Sequence, residues 1–384
     1  MEDRQLENPA ARRDSVGVEE AVTFDCSHAL RLSGRDWLIV AVVLLGFLAL
    51  APALWDRIEV FDPGSDYRIP YELSSDYWLY GRHCRQACDR GKVLVVGDSV
   101  VWGHYVPPEQ SLTHYLNEFS GADRFANLGL DGTHPAALEG LLRHYAGLSG
   151  RTVLLHLNPL WMSSARHDLQ TSKEFHFNHA ELVPQFAPKI PCYKASRAKR
   201  LRIAVRRQVP FANWVSHIRS AYYGSMDFQT WTLEHPYRNP VMPLPGGLPP
   251  SAGVPEPSGG SWVDRGAKKQ DLAWVELESS LQWRFFRRAI ELLQSRGNKV
   301  FVLVGPFNEH MLNEADVASY NAIKSGVETW LHKNEVACFI PSPLPASYYV
   351  DASHPVGEGY ALLAKQLLSQ PQSASLAGPI PSED

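Results

Sequence analysis

Residues 92 to 99 read KVLVVGDS, four consecutive apolar positions closed by Gly97, Asp98 and Ser99. An unalternated, Val-rich run of this length suits a strand buried on both faces, as in a parallel sheet. The chain on either side repeats the theme. Pro107 and Pro108 predict a helix start, read through Leu112, Tyr115, Leu116 and Phe119. A second strand is expected over Phe125 to Leu130, and a helix from Pro135 through Leu138, Leu141, Leu142 and Tyr145. A third strand, Thr152 to Leu157, ends at Asn158. The alternation resumes near residue 271, where Leu277, Leu281 and Phe285 stand at i, i+4, i+8 of one long helix. Lys299 to Gly305 and Val336 to Ile340 are the last two strands, separated by a helix over about 315–332 and followed by one from Val356 to Leu368. Five strands with intervening helices predict an α/β fold, a doubly wound parallel sheet over residues 91–370. Ligands of such sheets bind beyond the carboxyl ends of the strands.

The chain has 384 residues, 45% apolar and 20% charged, which suits a globular protein of enzyme size and excludes a disordered chain, a collagen-like fibre and a disulfide miniprotein. Its net charge of −4 supplies no overall basic field, so nucleic acid is not an expected partner. Eleven Trp are a surplus that either apolar or sugar-stacking sites would consume. Residues 165–270 interrupt the α/β pattern and read as an insertion, because Pro240 to Gly260 is crowded with Pro and Gly. Within it, Lys194, Arg197, Lys199, Arg200, Arg202, Arg206 and Arg207 form a basic run with Leu201 and Val205 interleaved. That run is either a solvated helix face or a contact for anionic lipid headgroups or an acidic glycan.

Residues 37 to 55, WLIVAVVLLGFLALAPALW, carry no charge and are bracketed by Trp37 and Trp55 as interfacial anchors. As a helix the run spans about 28 Å, close to the hydrocarbon thickness. A buried core helix and a cleaved signal peptide, with Ala49, Ala51 and Ala53 as small-residue cleavage positions, are the alternatives. The reading preferred is a single-span anchor between a cytoplasmic leader, 1–36, and a connector, 56–90, with a tail over 371–384. Five Arg in the leader favour an extracytoplasmic C-terminal part, periplasmic in a Gram-negative cell. Within twenty residues of each end the basic count is even, two against two. Cys26 lies in the leader, and Cys84, Cys88, Cys192 and Cys338 beyond the span allow two bridges in an oxidising compartment. His83, Cys84 and Cys88 lack a second matching pair, so no metal is expected.

A serine on a tight turn at a strand end can aim its hydroxyl into the crevice, which makes Ser99 a candidate nucleophile. Asp351 stands three residues before His354, in the loop after the last strand. Its carboxylate can accept the Nδ1 proton and leave Nε2 facing a nucleophile. Trp102 and Trp161, beside Ser99 and Asn158, are candidates to stack a sugar or line an acyl slot, or else belong to the core.

Four blocks together, VVGDS at 95–99, NLGLDGT at 127–133, HLNP at 156–159 and DASHP followed by Gly359 and Tyr360, resemble those of the SGNH hydrolases, the GDSL esterase and lipase superfamily. The resemblance covers residues 92–164 and about 295–370. It implies a flavodoxin-like sheet of about five parallel strands, no cofactor, Ser99 as nucleophile, and Asp351 and His354 as the remaining triad members. It also implies an oxyanion hole from the N–H groups of Ser99 and Gly132 and the Asn158 amide, with Gly129 competing with Gly132. Two departures stand out: Pro159 follows Asn158 where the family commonly has Asp, as in membrane-tethered relatives linked to glycan acylation, and the 165–270 insertion has no counterpart in compact members. The expected function is therefore a membrane-anchored esterase or O-acyltransferase acting on acyl, foremost acetyl, groups of an envelope or exported polysaccharide. A membrane-bound acyl-donor protein is a conceivable partner beside the bilayer. The alternatives are a lipase or lysophospholipase, and a catalytically idle glycan-binding subunit of an export or acylation complex.

Overall fold

The computed structural model describes residues 32–240 and 260–376. Expectations for the leader up to residue 31, including Cys26, for 241–259 of the Pro- and Gly-rich stretch and for 377–384 of the tail lie outside the described residues. The chain divides into two units, Met1–Phe47 and Leu48–Asp384, and the sheet belongs to the second. Helix α1, Gly34–Ile58, begins where Ser33 and Asp36 cap one another reciprocally. It is 25 residues long with a mean hydropathy of 2.6 over its most apolar window, long and apolar enough to cross a membrane.

The sheet has five parallel strands: β1 (Val93–Gly97), β2 (Phe125–Gly129), β3 (Thr152–Leu157), β4 (Lys299–Val304) and β5 (Ala337–Phe339). Their order is β2-β1-β3-β4-β5. Alternate side chains face opposite sides. Leu94, Val96, Val153, Leu155, Val302 and Val304 enter one core, whereas Val95, Leu154, Phe301 and Leu303 enter another. The first is covered by α2 (Tyr77–Asp89), α5 (Pro135–Leu141), α9 (Leu281–Ser295) and α10 (Glu314–Lys333). The second is covered by α4 (Leu112–Ser120) and α11 (Gly357–Leu368). Each Val or Leu so buried stabilises the fold by roughly 1.5–3 kcal/mol, which explains the apolar runs of the strands, with Asn127 in β2, Thr152 and His156 in β3 and Lys299 in β4 as polar members. The order reverses direction between β1 and β3, so the carboxyl ends of those two strands flank a crevice.

Several expectations need correction. The prolines at 107 and 108 do not open α4; a 3₁₀ turn covers Pro108–Gln110, and the Ser111 hydroxyl caps the helix by accepting from the His114 N–H. Leu277 likewise lies in a separate 3₁₀ turn, because Ser280 caps α9 through the Trp283 N–H. The 56–90 segment is more than a connector, since α2 is capped by Asp76 and packs Tyr77, Leu79, Tyr80, Cys84 and Ala87 into the core. His83 turns its Nε2 to the Asn127 carbonyl, and Cys84, Cys88, Cys192 and Cys338 are free thiols. The insertion forms α6 (Arg197–Gln208), α7 (Pro210–Tyr223) and α8 (Phe228–Glu234), and a small cluster around Leu169, Val183 and Ile190 packs it on α5 and α9 through Ala136 and Phe285. Of the basic run, Arg200 and Arg207 donate to backbone carbonyls of the 181–195 segment and Arg206 pairs with Glu181, so these three staple the insertion. Trp55 is not a free interfacial ring; it meets Trp214 and Tyr222 of α7 edge-on.

Where the connector meets α7, His217 is fully buried between Asp76, 2.6 Å from Nδ1, and Glu59, 2.9 Å from Nε2. Arg82, the Tyr222 hydroxyl and the Trp55 indole N–H also bond to Glu59. Burial alone would lower the imidazole pKa, but the Asp76 charge and the hydrogen bonds to Asp76 and Glu59 outweigh it and raise it to about 9. A raised histidine contributes stability in full below its unfolded value near 6.5 and loses it as pH rises through about 9. Thermal melts of the full chain in detergent should fall from pH 7 to 10, and His217→Gln should flatten that fall and cost about 3–5 kcal/mol at pH 7. An unchanged pH slope in the variant would contradict the assignment.

Candidate active site

At the end of β1 the chain turns through Asp98, whose carboxylate caps the one-turn helix α3 (Ser99–Trp102) by accepting from the Val100 N–H. Gly103 at φ +86° ends the turn, a conformation suited to glycine. Ser99 is thereby held as the first helical residue, with its hydroxyl toward α11. His354 precedes α11, and its Nε2 lies 2.8 Å from Ser99 Oγ. Its Nδ1 lies 2.9 Å from both oxygens of Asp351. Asp351 also accepts the Ser353 and His354 N–H groups, which fixes the loop around the pair. The Tyr360 hydroxyl donates to the Val100 carbonyl and locks α11 to α3. The three residues singled out in the sequence are thus brought into one hydrogen-bonded line from ends of the chain 255 residues apart.

The electrostatics follow from this geometry. Burial would raise the Asp351 pKa, but the His354 charge and hydrogen bonds hold it down at about 2. Burial would lower His354, yet Asp351, with smaller contributions from Asp98 and Asp131, raises it above the ordinary imidazole value.

Asp98, fully buried, does more than cap. Its Oδ2 accepts from Asn158 Nδ2 and Trp161 Nε1, both at 2.9 Å, and its Oδ1 lies 3.1 Å from His156 Nδ1. Burial would raise its pKa, and His156, Asn158 and the Val100 N–H overcome this and set it at about 2. Asn158 Oδ1 accepts the Leu160 N–H, so the amide is oriented at both ends, and among the described residues one of its two amide hydrogens has no acceptor. Gly132 adopts φ +68°, and a Cβ there would stand 2.2 Å from Asn178 Nδ2. Its N–H, like that of Ser99, makes no hydrogen bond among the described residues. Gly129 is different: its N–H is bound by Asn127 Oδ1, and a Cβ would strike the Trp102 backbone at 2.4 Å. Of the two glycines, Gly132 is the one with a free donor.

Trp102 does not face this crevice. It is buried, donates from Nε1 to the Ile69 carbonyl at 2.8 Å and lies under the Arg68 guanidinium at 3.9 Å, because the turn after Ser99 drives it into the core. Trp161 does: with Gly132, Leu169, Phe175 and Phe177 it lines a mainly apolar cavity of about 180 Å³. Sequence reasoning missed Asp98 as a second carboxylate of the site, its partner His156, and the pair His104–Asp131, whose Nδ1–Oδ1 distance is 2.6 Å and whose imidazole lies 5.7 Å from that of His354. Both aspartates stand inside the quoted motifs VVGDS and NLGLDGT, where residue type alone does not show which partner each carboxylate meets. Among the described residues no group of three or more His, Cys, Asp or Glu side chains is arranged to hold a metal ion.

No protein-family model and no curated protein matches the chain.

The arrangement predicts how Ser99 reacts. Only neutral His354 can take the serine proton, so modification of Ser99 by a sulfonyl fluoride should accelerate with pH along a limb whose midpoint lies above 6.5. Asp351→Asn removes the carboxylate that fixes the tautomer and should slow it by about 10⁴-fold, the size of that effect in the serine-protease triad. A midpoint at or below 6.5, or an undiminished rate in the variant, would contradict the reading.

Proposed function

We propose that this protein is an SGNH-type serine esterase or O-acyltransferase, anchored by α1 in a membrane, that handles short acyl groups, foremost acetyl, on an envelope or exported polysaccharide. The observation that carries the reading is the line Ser99 Oγ to His354 Nε2, 2.8 Å, backed by Asp351 at 2.9 Å. The strand order 2-1-3-4-5 is that of flavodoxin-like sheets and accords with the SGNH resemblance. In this reading the five-arginine leader lies in the cytoplasm and the sheet domain on the opposite side, beside a polysaccharide and a membrane-bound acyl donor.

His354 Nε2 takes the Ser99 proton as Oγ attacks the ester carbonyl. Negative charge on the carbonyl oxygen falls to the N–H groups of Ser99 and Gly132 and the uncommitted amide hydrogen of Asn158. Collapse breaks the bond to the leaving oxygen, which takes the proton from His354, and leaves acyl-Ser99. Water or a sugar hydroxyl, deprotonated by the same imidazole, then attacks the acyl carbonyl, releasing Ser99 with its proton restored.

The cavity beside Gly132 and Trp161 favours short chains over a lipase reading, since about 180 Å³ is below the roughly 300–1,000 Å³ that holds drug-sized ligands. The complete proton relay favours an enzyme over an idle binding subunit. Turnover of aryl esters by the full chain in detergent should be at least tenfold faster for acetate than for octanoate. Ser99→Ala should abolish it, and Asn158→Ala should lower kcat by about 10²–10³-fold. Preference for octanoate would select the lipase reading, and unchanged turnover in Ser99→Ala would end the enzyme reading.

A further inference from the structure

A second cavity, about 510 Å³, lies on the other side of the segment His176 to Asn178, which lines both. Its walls come from the connector, with Tyr71, Ser74, Ser75 and Tyr77, and from the insertion, with Tyr193 and the helices α6 and α7. Asp131, one residue before Gly132, closes it on the catalytic side. The lining is predominantly polar. On α7, Ser216 and Ser220 stand one turn apart on one face with Arg219 beside them.

The charges in the cleft are unequally matched. Glu181 is paired with Arg206, and Asp131 with His104 at 2.6 Å. Lys199 and Arg219 also line it, and among the described residues neither side chain has a carboxylate partner. With Lys199, Arg206 and Arg219 set against Glu181 and Asp131, the cleft carries one positive charge in excess, and its two cations without a carboxylate partner stand among serine hydroxyls and tyrosine rings. Hydroxyls and rings suit the polar edges and the C–H faces of a sugar chain, and the free cations call for anionic groups along it.

The cleft is also mechanically joined to the oxyanion turn. The Tyr77 hydroxyl meets His179 Nδ1 at 3.0 Å, and His179 Nε2 meets the Asp131 carbonyl at 2.7 Å. The wall that would touch the ligand thus holds the backbone just ahead of the Gly132 N–H.

We infer that this cleft binds an anionic oligosaccharide segment, one bearing carboxylate or phosphate groups, with Lys199 and Arg219 as its charge partners. The inference rests on the proposed function in taking the glycan as the substrate class, and it adds that the glycan is acidic and enters across α6 and α7. A cavity of this size lies within the range of ordinary ligand sites, and its position leads a bound chain past Asp131 to the neighbouring acyl cavity.

The test is binding of an unacetylated oligogalacturonate to the full chain in nonionic detergent, by titration calorimetry, so that no ester chemistry is involved. A neutral malto-oligosaccharide of equal length and anionic phospholipid vesicles are the comparisons. Oligogalacturonate should bind at least tenfold tighter than the neutral chain, with an affinity that falls as salt rises. The double variant Lys199→Glu, Arg219→Glu should erase that difference while aryl acetate turnover stays within twofold of wild type. Equal binding of acidic and neutral chains, or an undiminished difference in the double variant, overturns the inference even if aryl acetate is turned over. Vesicle binding lost in the variant without any oligosaccharide binding overturns it in favour of a membrane contact. Charge-selective binding in a protein that turns over no aryl ester leaves the cleft assignment standing and removes the enzyme reading alone.

Discussion

The carboxylate of Asp98, buried at the end of β1, is the constraint on which the rest of the site depends. A charge taken out of water is tolerated only if it is surrounded by donors. Asp98 gathers them from three places: the Val100 N–H that starts α3, the Asn158 amide at the end of β3, and the Trp161 indole beyond it. Meeting that one demand brings together the turn carrying Ser99, the Asn158 amide, and the ring that lines the cavity beside Gly132. Because β1 and β3 are neighbours at the point where the strand order reverses, a side chain as short as Asp spans between their ends. The charge adds to the field that raises His354, so the same group sets geometry and basicity.

How much of this was legible follows from the kind of interaction involved. The five strands were readable because each centres on an apolar run, even where an end such as Lys299 of β4 or Ala337 of β5 is exposed, and burial is written into composition. Helix starts at Ser111 and Ser280 were misplaced because a single hydroxyl bonded to a backbone N–H decides the boundary, and it outweighs proline preference or an apolar i, i+4 repeat. Helix α2 escaped notice because its buried face is built from Tyr77, Tyr80, His83 and Cys84. Such residues carry little hydropathy signal until their polar atoms find partners such as the Leu128 and Asn127 carbonyls. The grouping of Ser99, Asp351 and His354 was legible because a hydroxyl, an imidazole and a carboxylate three residues from it bond to one another, Ser99 at the end of β1 and the pair in the loop before α11. For Trp102 the sequence leaves crevice and core both open, and the structure places it in the core, because neighbourhood in sequence to Ser99 does not determine which way a one-turn helix points its fourth residue.

The connector and the insertion were least legible and contribute most to what would be specific about the site. Their contacts are long-range: Glu59 and Asp76 enclose His217, and Tyr77 reaches Asp131 through His179. Three of the seven residues of the basic run, Arg200, Arg206 and Arg207, are spent on fastening the insertion to itself, with Lys199 left facing the cleft. A net charge of −4 gives no hint of this, since it averages over buried pairs and open cations alike.

In the proposed reaction Ser99 carries the acyl group. The most direct measurement mixes the full chain with an aryl acetate, quenches in acid within the first turnover, and locates acetyl groups by peptide mass spectrometry. One acetyl group on Ser99 is expected, formed together with a burst of phenol and absent when His354 is replaced by Ala. Acetyl found on another residue, or turnover with no burst that persists in the His354 variant, would contradict it.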